Sequence, residues 1–154
     1  MSNNNYEISF LTDRPANEVF QAINNVRVWW NSEMEGDSTH LNDEFSVKFW
    51  DLHYSKQKIV EFVPDKKVVW LVTESKLDFL ADKSEWTGTK ISFELSKKDG
   101  QTELHFKHEG LVPKIECYRD CSKAWTEYLR DSLLKFITTG EGQPYLDEAK
   151  AGVN

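Results

Sequence analysis

His108 and Tyr118 are the residues of this 154-residue sequence best suited to acid–base chemistry. His108 alternates with Phe106 and Leu104, which predicts an inward-facing side chain near the end of a strand. An imidazole there could transfer a proton or bond a bound molecule, and the spacing of Tyr118 places its hydroxyl near the same strand end. The alternative is that both residues are structural. The hydrogen bonds of His108 would then be made by the loop at 109–113 or by a helix side chain, and Tyr118 would be a core tyrosine whose hydroxyl reaches solvent.

The pattern of cysteines and histidines argues against a metal site. Cys117 and Cys121 share one helix face, whereas His105 and His108 lie three apart on a strand and face opposite ways, so four ligands do not converge. Reduced thiols are expected, because cysteines one turn apart on a regular helix are awkwardly placed for a disulfide. A glycine-flanked serine and a glycine-rich phosphate loop are also missing from the sequence, which therefore predicts no metal, no cofactor and no catalytic residue of the nucleophile class.

A long amphipathic helix, predicted from Ile115 to about Thr139, must position several of these residues. Its inward stripe recurs every three to four residues, at Tyr118, Cys121, Trp125, Leu129, Ser132, Leu133 and Phe136. Charged residues occupy the other positions, so one face of the helix should pack on the rest of the protein. Gly140 stands where a left-handed helix cap is expected.

The rest of the sequence predicts a strand, two short helices and a run of antiparallel strands, which is an α+β arrangement. Alternating or continuous apolar residues indicate strands over 6–10, 36–40, 44–49, 53–63, 68–73, 91–95 and 104–108. The short helices are expected around Val19 to Ile23 and Val26 to Trp30. Residues 76–88 are the least regular, and packing at an edge is favoured over covering a cavity mouth.

Length and charge limit the possible partners. The chain fits one domain, residues 1–154, with an ordered core at about 6–145. A net charge of −7 opposes binding to nucleic acid and to an anionic membrane. The sequence shows no signal peptide and no run of 18 apolar residues, so a cytoplasmic location is expected. The oligomeric state is not predicted.

Several segments together resemble one known family. They are RPANEVFQAINN, VWWNSEMEG, IVEFVPDKKVVW, EWTGTKISFEL, TELHFKHEGL and AWTEYLRDSLLKFITTGEGQPY, in this order along nearly the whole chain. The sequence resembles the START-like or birch-pollen-allergen-like (SRPBCC) superfamily, in its branch related to the activator of Hsp90 ATPase. The resemblance implies a helix-grip fold, in which a bent antiparallel sheet wraps the long C-terminal helix. Ala124 departs from the glycine common in this branch, and its methyl group could narrow a close helix-to-sheet approach.

The resemblance also implies an apolar cavity between sheet and helix in many members. If the inward faces enclose one, its lining is predicted to include Phe45, Val47, Phe49, Trp70, Phe93, Phe106, His108, Tyr118, Cys121, Trp125 and Leu129. Such a space would suit a flat hydrophobic molecule. The alternative is a filled core, which is the default for protein interiors.

Three functions remain open from the sequence. The first is a non-enzymatic domain that binds a small hydrophobic molecule, and the second, implied by the resemblance, is a module that interacts with an Hsp90-type chaperone. The third is a cyclase, isomerase or hydrolase that uses His108 and Tyr118, and it ranks lowest because the inward faces have few titratable groups. Trp29, Trp30 and Trp86 could form an exposed aromatic surface for a partner, although adjacent tryptophans more often divide between core and loop.

Overall fold

The computed structural model describes residues 5–49, 53–77, 86–112 and 118–144. Its strands form one antiparallel sheet with the spatial order β1-β7-β6-β5-β4-β3-β2. The strands are β1 Tyr6–Thr12, β2 Glu35–Gly36, β3 Glu44–Phe49, β4 His53–Val63, β5 Lys67–Leu77, β6 Lys90–Lys98 and β7 Gln101–Glu109. The predicted α+β class with a curved antiparallel sheet is confirmed.

One face of the sheet is buried, because apolar residues alternate with polar ones along most strands. In β6, for example, Ile91, Phe93 and Leu95 are buried while Lys90 and Glu94 are exposed. The ladder between β4 and β5 shifts register twice, between Lys56 and Gln57 and between Ile59 and Glu61. Such bulges bend a strand and increase its twist, so they help the sheet curve around the helix.

The helices lie where the sequence places them. Two short ones, α1 Ala16–Asn24 and α2 Val26–Trp29, follow β1. The long C-terminal helix has three consecutive parts: α3 Tyr118–Glu127, a π-helical segment Tyr128–Leu133 and α4 Leu134–Thr139. Its buried stripe consists of Cys121, Trp125, Leu129, Ser132, Leu133 and Ile137. Gly140 ends the helix with a φ of 87°, which confirms the predicted left-handed cap.

The strand predicted at 36–40 is shorter in the structure, since β2 ends at Gly36. Side-chain hydrogen bonds replace the backbone ladder in this segment. The hydroxyl of Ser38 donates to the Asn24 carbonyl oxygen at 2.8 Å, and the Asp43 carboxylate accepts from the amides of Thr39 and His40 at 3.1 and 2.9 Å. Polar side chains that bond the backbone locally favour a turn over a strand.

Two further expectations fail. Cys121 is disulfide-bonded, so the prediction of a reduced thiol at this position is wrong. Cys117 lies outside the described residues. The prediction of an exposed aromatic surface is also wrong, because Trp29, Trp30 and Trp86 are 0%, 2% and 3% exposed. Most of the irregular segment at 76–88 also lies outside the described residues.

Candidate functional site

The space between the sheet and the C-terminal helix is occupied by a column of stacked indoles, formed by Trp70, Trp30, Trp125 and Trp86. Successive ring centroids are 5.6, 5.0 and 6.0 Å apart, and successive planes differ by 21°, 23° and 8°. The four residues come from β5, the end of α2, α3 and the segment before β6. Stacked rings of this size supply much of the apolar area of a core. The interior is therefore largely filled, and any ligand site must lie beside the column.

The π-helical segment fixes the position of the column against α2. Within this segment the Ser132 hydroxyl is buried, donates to the Trp29 carbonyl oxygen at 2.6 Å and accepts from the Gln143 amide at 2.7 Å. The Trp29 indole N–H donates in turn to the Ile23 carbonyl oxygen at 3.0 Å. These bonds join the C-terminal helix to both short helices. They hold Trp30, which follows α2, at the centre of the column.

His108 lies behind the column and is completely buried. The Trp125 indole can only donate, so its Nε1–H bonds to His108 Nδ1 at 3.0 Å and the proton of His108 lies on Nε2. That proton donates to the Thr89 hydroxyl oxygen at 2.9 Å, and the Thr89 hydroxyl donates to the Trp86 carbonyl oxygen at 2.6 Å. Burial, with a smaller contribution from His53, lowers the pKa of His108 to about 3. Both ring nitrogens are therefore engaged in holding the indoles.

A cleft of about 670 Å³ opens beside the column, against Trp30, Trp125 and Trp86. Its described lining comes from α2, the ends of β3 and β4, the C-terminal helix and the segments at 86 and 143. The residues are Trp30, Phe49, His53, Trp86, Asp120, Cys121, Ala124, Trp125, Glu127, Tyr128, Asp131, Ser132 and Gln143. Five of these thirteen residues carry indole, phenyl or phenol rings, and most of the lining surface is apolar. The cleft has the size and apolar character of a small-molecule site.

The two rims of the cleft differ in charge. On the helix side, the carboxylates of Asp120, Glu127 and Asp131 are exposed. Asp131 accepts a hydrogen bond from Arg130 at 3.0 Å, and this guanidinium lowers the pKa of the Asp131 carboxyl. On the sheet side His53 is neutral, because removal of water from its ring lowers its pKa to about 3. The mouth is therefore acidic on one side and uncharged on the other.

The structure divides the predicted lining residues into three groups. Phe49, Cys121 and Trp125 line the cleft. The residues buried in the core behind it are Phe45, Val47, Trp70, Phe93, Phe106, His108 and Leu129. Tyr118 is partly exposed and packs against the core without lining the cleft. Contact between any of these residues and a ligand stays a prediction.

The sequence interpretation missed several residues of the cleft. His53 begins β4, and only its end-of-strand position and alternation with Ser55 and Gln57 could have drawn attention to it. Ala124 does not lie between helix and sheet as expected; it is exposed and lines the cleft. Ser132 belonged to the predicted stripe, but its link to Gln143 depends on how the chain folds back after Gly140.

Solved structures with the same fold have low sequence identity to this chain. The solution structure of the Aha1 dimer from Colwellia psychrerythraea matches with a TM-score of 0.72 at 20% identity, covering 92% of this chain and 100% of that chain. CalU16 from Micromonospora echinospora matches with a TM-score of 0.59 at 16% identity, covering 86% and 74%. DynU16, from the dynemicin biosynthetic locus, matches with a TM-score of 0.64 at 11% identity, covering 92% of this chain but 49% of that one. At these identities the likeness shows the fold alone.

The sequence itself identifies the family. No curated protein matches it. None of the helices in the described part of the chain is both long and apolar enough to cross a membrane. The profile of one family, described as Activator of Hsp90 ATPase homolog 1-like protein, matches residues 13–137. This match spans most of the 154 residues, and the helix-grip architecture agrees with it. The chain therefore belongs to the Activator of Hsp90 ATPase homolog 1-like family, as the resemblance in its sequence implied.

Proposed function

We propose that this protein binds a small, flat, apolar molecule in the cleft beside the indole column. The observation that carries the proposal is the cleft itself, about 670 Å³ in volume and walled by Trp30, Phe49, Trp86 and Trp125. Ligand pockets are usually concave, mostly apolar and several hundred cubic ångströms in volume. Aromatic walls favour a ring system, because flat rings stack against them or meet their edges.

The charges around the cleft narrow the class of molecule. Asp120, Glu127 and Asp131 line the helix side of the mouth, and His53 on the opposite side is uncharged at neutral pH. No lysine or arginine is found among the described lining residues. Like charges repel in a partly desolvated site, so a carboxylate or phosphate group would be disfavoured there. A neutral or cationic aromatic molecule fits better than a fatty acid or a phospholipid.

Titration with the neutral naphthyl ketone dye prodan tests this proposal, because the fluorescence of prodan increases in an apolar site. Ala124 is exposed at the cleft, so Ala124→Phe should fill the space without disturbing the core. We expect it to weaken prodan binding about tenfold, which corresponds to roughly 1.4 kcal/mol. Lys123→Phe is the matched control, since Lys123 is the exposed neighbour that does not line the cleft. Its affinity should remain within about twofold of the wild type.

Two results would overturn the proposal. One is that the wild-type protein binds no prodan at any soluble concentration. The other is that Ala124→Phe and Lys123→Phe change the affinity equally, which would place the dye elsewhere on the surface. Thermal melts of all three proteins would separate a blocked cleft from a damaged fold.

The family match favours a second candidate function, regulation of an Hsp90-type chaperone. This function requires a protein-binding surface rather than an open cleft. Co-purification from the host, followed by an ATPase assay with the recovered chaperone, would test it. Chaperone activation predicts a higher ATPase rate that saturates with added protein, and an unchanged rate at saturation would exclude it. Ala124→Phe should leave such stimulation intact, which separates the two candidates.

A further inference from the structure

His53 is the histidine among the described residues that line the cleft. It begins β4 and is partly exposed. Its ring meets the rings of Phe49 and Trp86 edge-on, with centroid distances of 5.2 and 4.6 Å. These two contacts fix the plane of the imidazole within an otherwise apolar wall. A polar group held in this way can give a bound molecule a defined orientation.

A short chain of hydrogen bonds determines which nitrogen of His53 carries the proton. The Gln57 side-chain N–H donates to the Ser55 hydroxyl oxygen at 2.6 Å, and His53 Nε2 lies 3.2 Å from the same oxygen. Ser55 is completely buried, so its own hydroxyl hydrogen needs an acceptor. His53 Nε2 is the acceptor available to it among the described residues. The proton of the neutral imidazole therefore lies on Nδ1.

The Nδ1–H of His53 makes no hydrogen bond to the described residues. Trp86 presents a similar feature, because its indole N–H is buried and has no partner in that same part of the chain. These two unpaired N–H donors lie on rings whose centroids are 4.6 Å apart, and both residues line the cleft. An unpaired donor in a water-poor site is costly, and an acceptor oxygen on a bound molecule would satisfy the His53 donor.

We infer that the His53 Nδ1–H is the polar anchor of the cleft, and that the molecule bound there carries a neutral acceptor oxygen on an aromatic body. An aryl ketone, quinone or aryl ether belongs to this class. The inference rests on the proposed binding function and adds the position and direction of one hydrogen bond. The neutral state of the ring supports it, because removal of water from the imidazole lowers its pKa to about 3, and a neutral imidazole offers one donor.

A matched pair of probes tests the inference: acetylnaphthalene and isopropenylnaphthalene, which have the same shape but differ by a carbonyl oxygen in place of a CH₂ group. The measured quantity is the ratio of their two dissociation constants, obtained by quenching of the protein's tryptophan fluorescence. In His53→Phe, which retains the ring contacts, we expect the preference for the ketone to fall about fivefold relative to the wild type. His40→Phe, the same substitution at an exposed histidine that does not line the cleft, should retain the preference.

A second measurement requires no substitution at the cleft. Nitrogen NMR of the wild-type protein labelled on histidine should show His53 as the Nδ1–H tautomer, and acetylnaphthalene should shift that resonance more than isopropenylnaphthalene does. An Nε2–H tautomer, or equal shifts with both probes, would overturn the inference. So would an unchanged preference in a folded His53→Phe variant. If neither probe binds the wild type, the proposed function fails as well, whereas binding that is blocked by Ala124→Phe but insensitive to His53 removes only the anchor.

Discussion

The completely buried His108 should make the stability of the fold depend strongly on pH. Both ring nitrogens are bonded, to Trp125 and Thr89, and only the neutral form can accept from the Trp125 indole. Folding therefore excludes a proton that the unfolded chain takes up below pH 6.5, the ordinary pKa of histidine. The stabilisation is complete above that pH and is lost as the pH falls toward the folded-state pKa of about 3.

The size of the effect follows from the difference between the two pKa values. Each pH unit between them changes the free energy of unfolding by about 1.4 kcal/mol for one histidine. A decrease from about pH 7.5 to about pH 5 should therefore remove roughly 2 kcal/mol through His108 alone. This is a large part of the stability of a typical small protein.

Urea denaturation, monitored by tryptophan fluorescence at several pH values, measures this contribution. His108→Asn removes the titrating group and retains one donor and one acceptor, so its loss of stability on acidification should be about 2 kcal/mol smaller than that of the wild type. His53→Gln, which retains His108, should still lose about 2 kcal/mol or more. Parallel pH dependences for the wild type and His108→Asn would refute the assignment of a neutral, structural His108.

Two further pairs of substitutions test the supports of the cleft by the same denaturation assay. Ser132→Ala should lower the free energy of unfolding by about 2 kcal/mol, because it removes the partner of the buried Trp29 carbonyl oxygen and of the Gln143 amide. Ser122→Ala removes a hydroxyl that makes an exposed hydrogen bond, and it should cost under about 0.5 kcal/mol. Equal losses would show that the Ser132 bonds are not stabilising. Gly140→Ala meets no atom within 4 Å but must adopt a φ of 87°, so we expect a loss of about 1 kcal/mol. Gly142→Ala should cost more, about 2 kcal/mol, because its Cβ would lie 2.3 Å from the Val28 carbonyl oxygen; the reverse order would contradict the close packing of this segment.

Much of the fold is predictable because alternation and helical spacing report burial directly. Phe45, Val47 and Phe49 form the dry face of β3 as expected, and the long helix presents Trp125 and Leu129 inward. The prediction fails where backbone geometry departs from a regular repeat. The π-helical segment Tyr128–Leu133 adds length to one turn and shifts the phase of the stripe, so Ile137 rather than Phe136 is buried at its end.

The site is less predictable than the fold because it depends on which rings fill the interior and which remain at its edge. The sequence pointed to His108, but the structure uses both nitrogens of this residue to hold Trp125 and Thr89. It did not single out His53, whose place at the cleft is set by the start of β4. Alternation shows that a residue faces inward, and it does not show how close that residue lies to an opening.

Intermolecular NOEs between acetylnaphthalene and the wild-type protein would test the central claim most directly. Binding in the cleft predicts NOEs from the naphthalene protons to the rings of Phe49 and Trp86 and to the Ala124 methyl group, all of which line it. NOEs confined to exposed apolar residues far from the cleft, such as Leu11 or Val63, would contradict the claim. So would saturation of the protein with the probe without any NOE to the cleft.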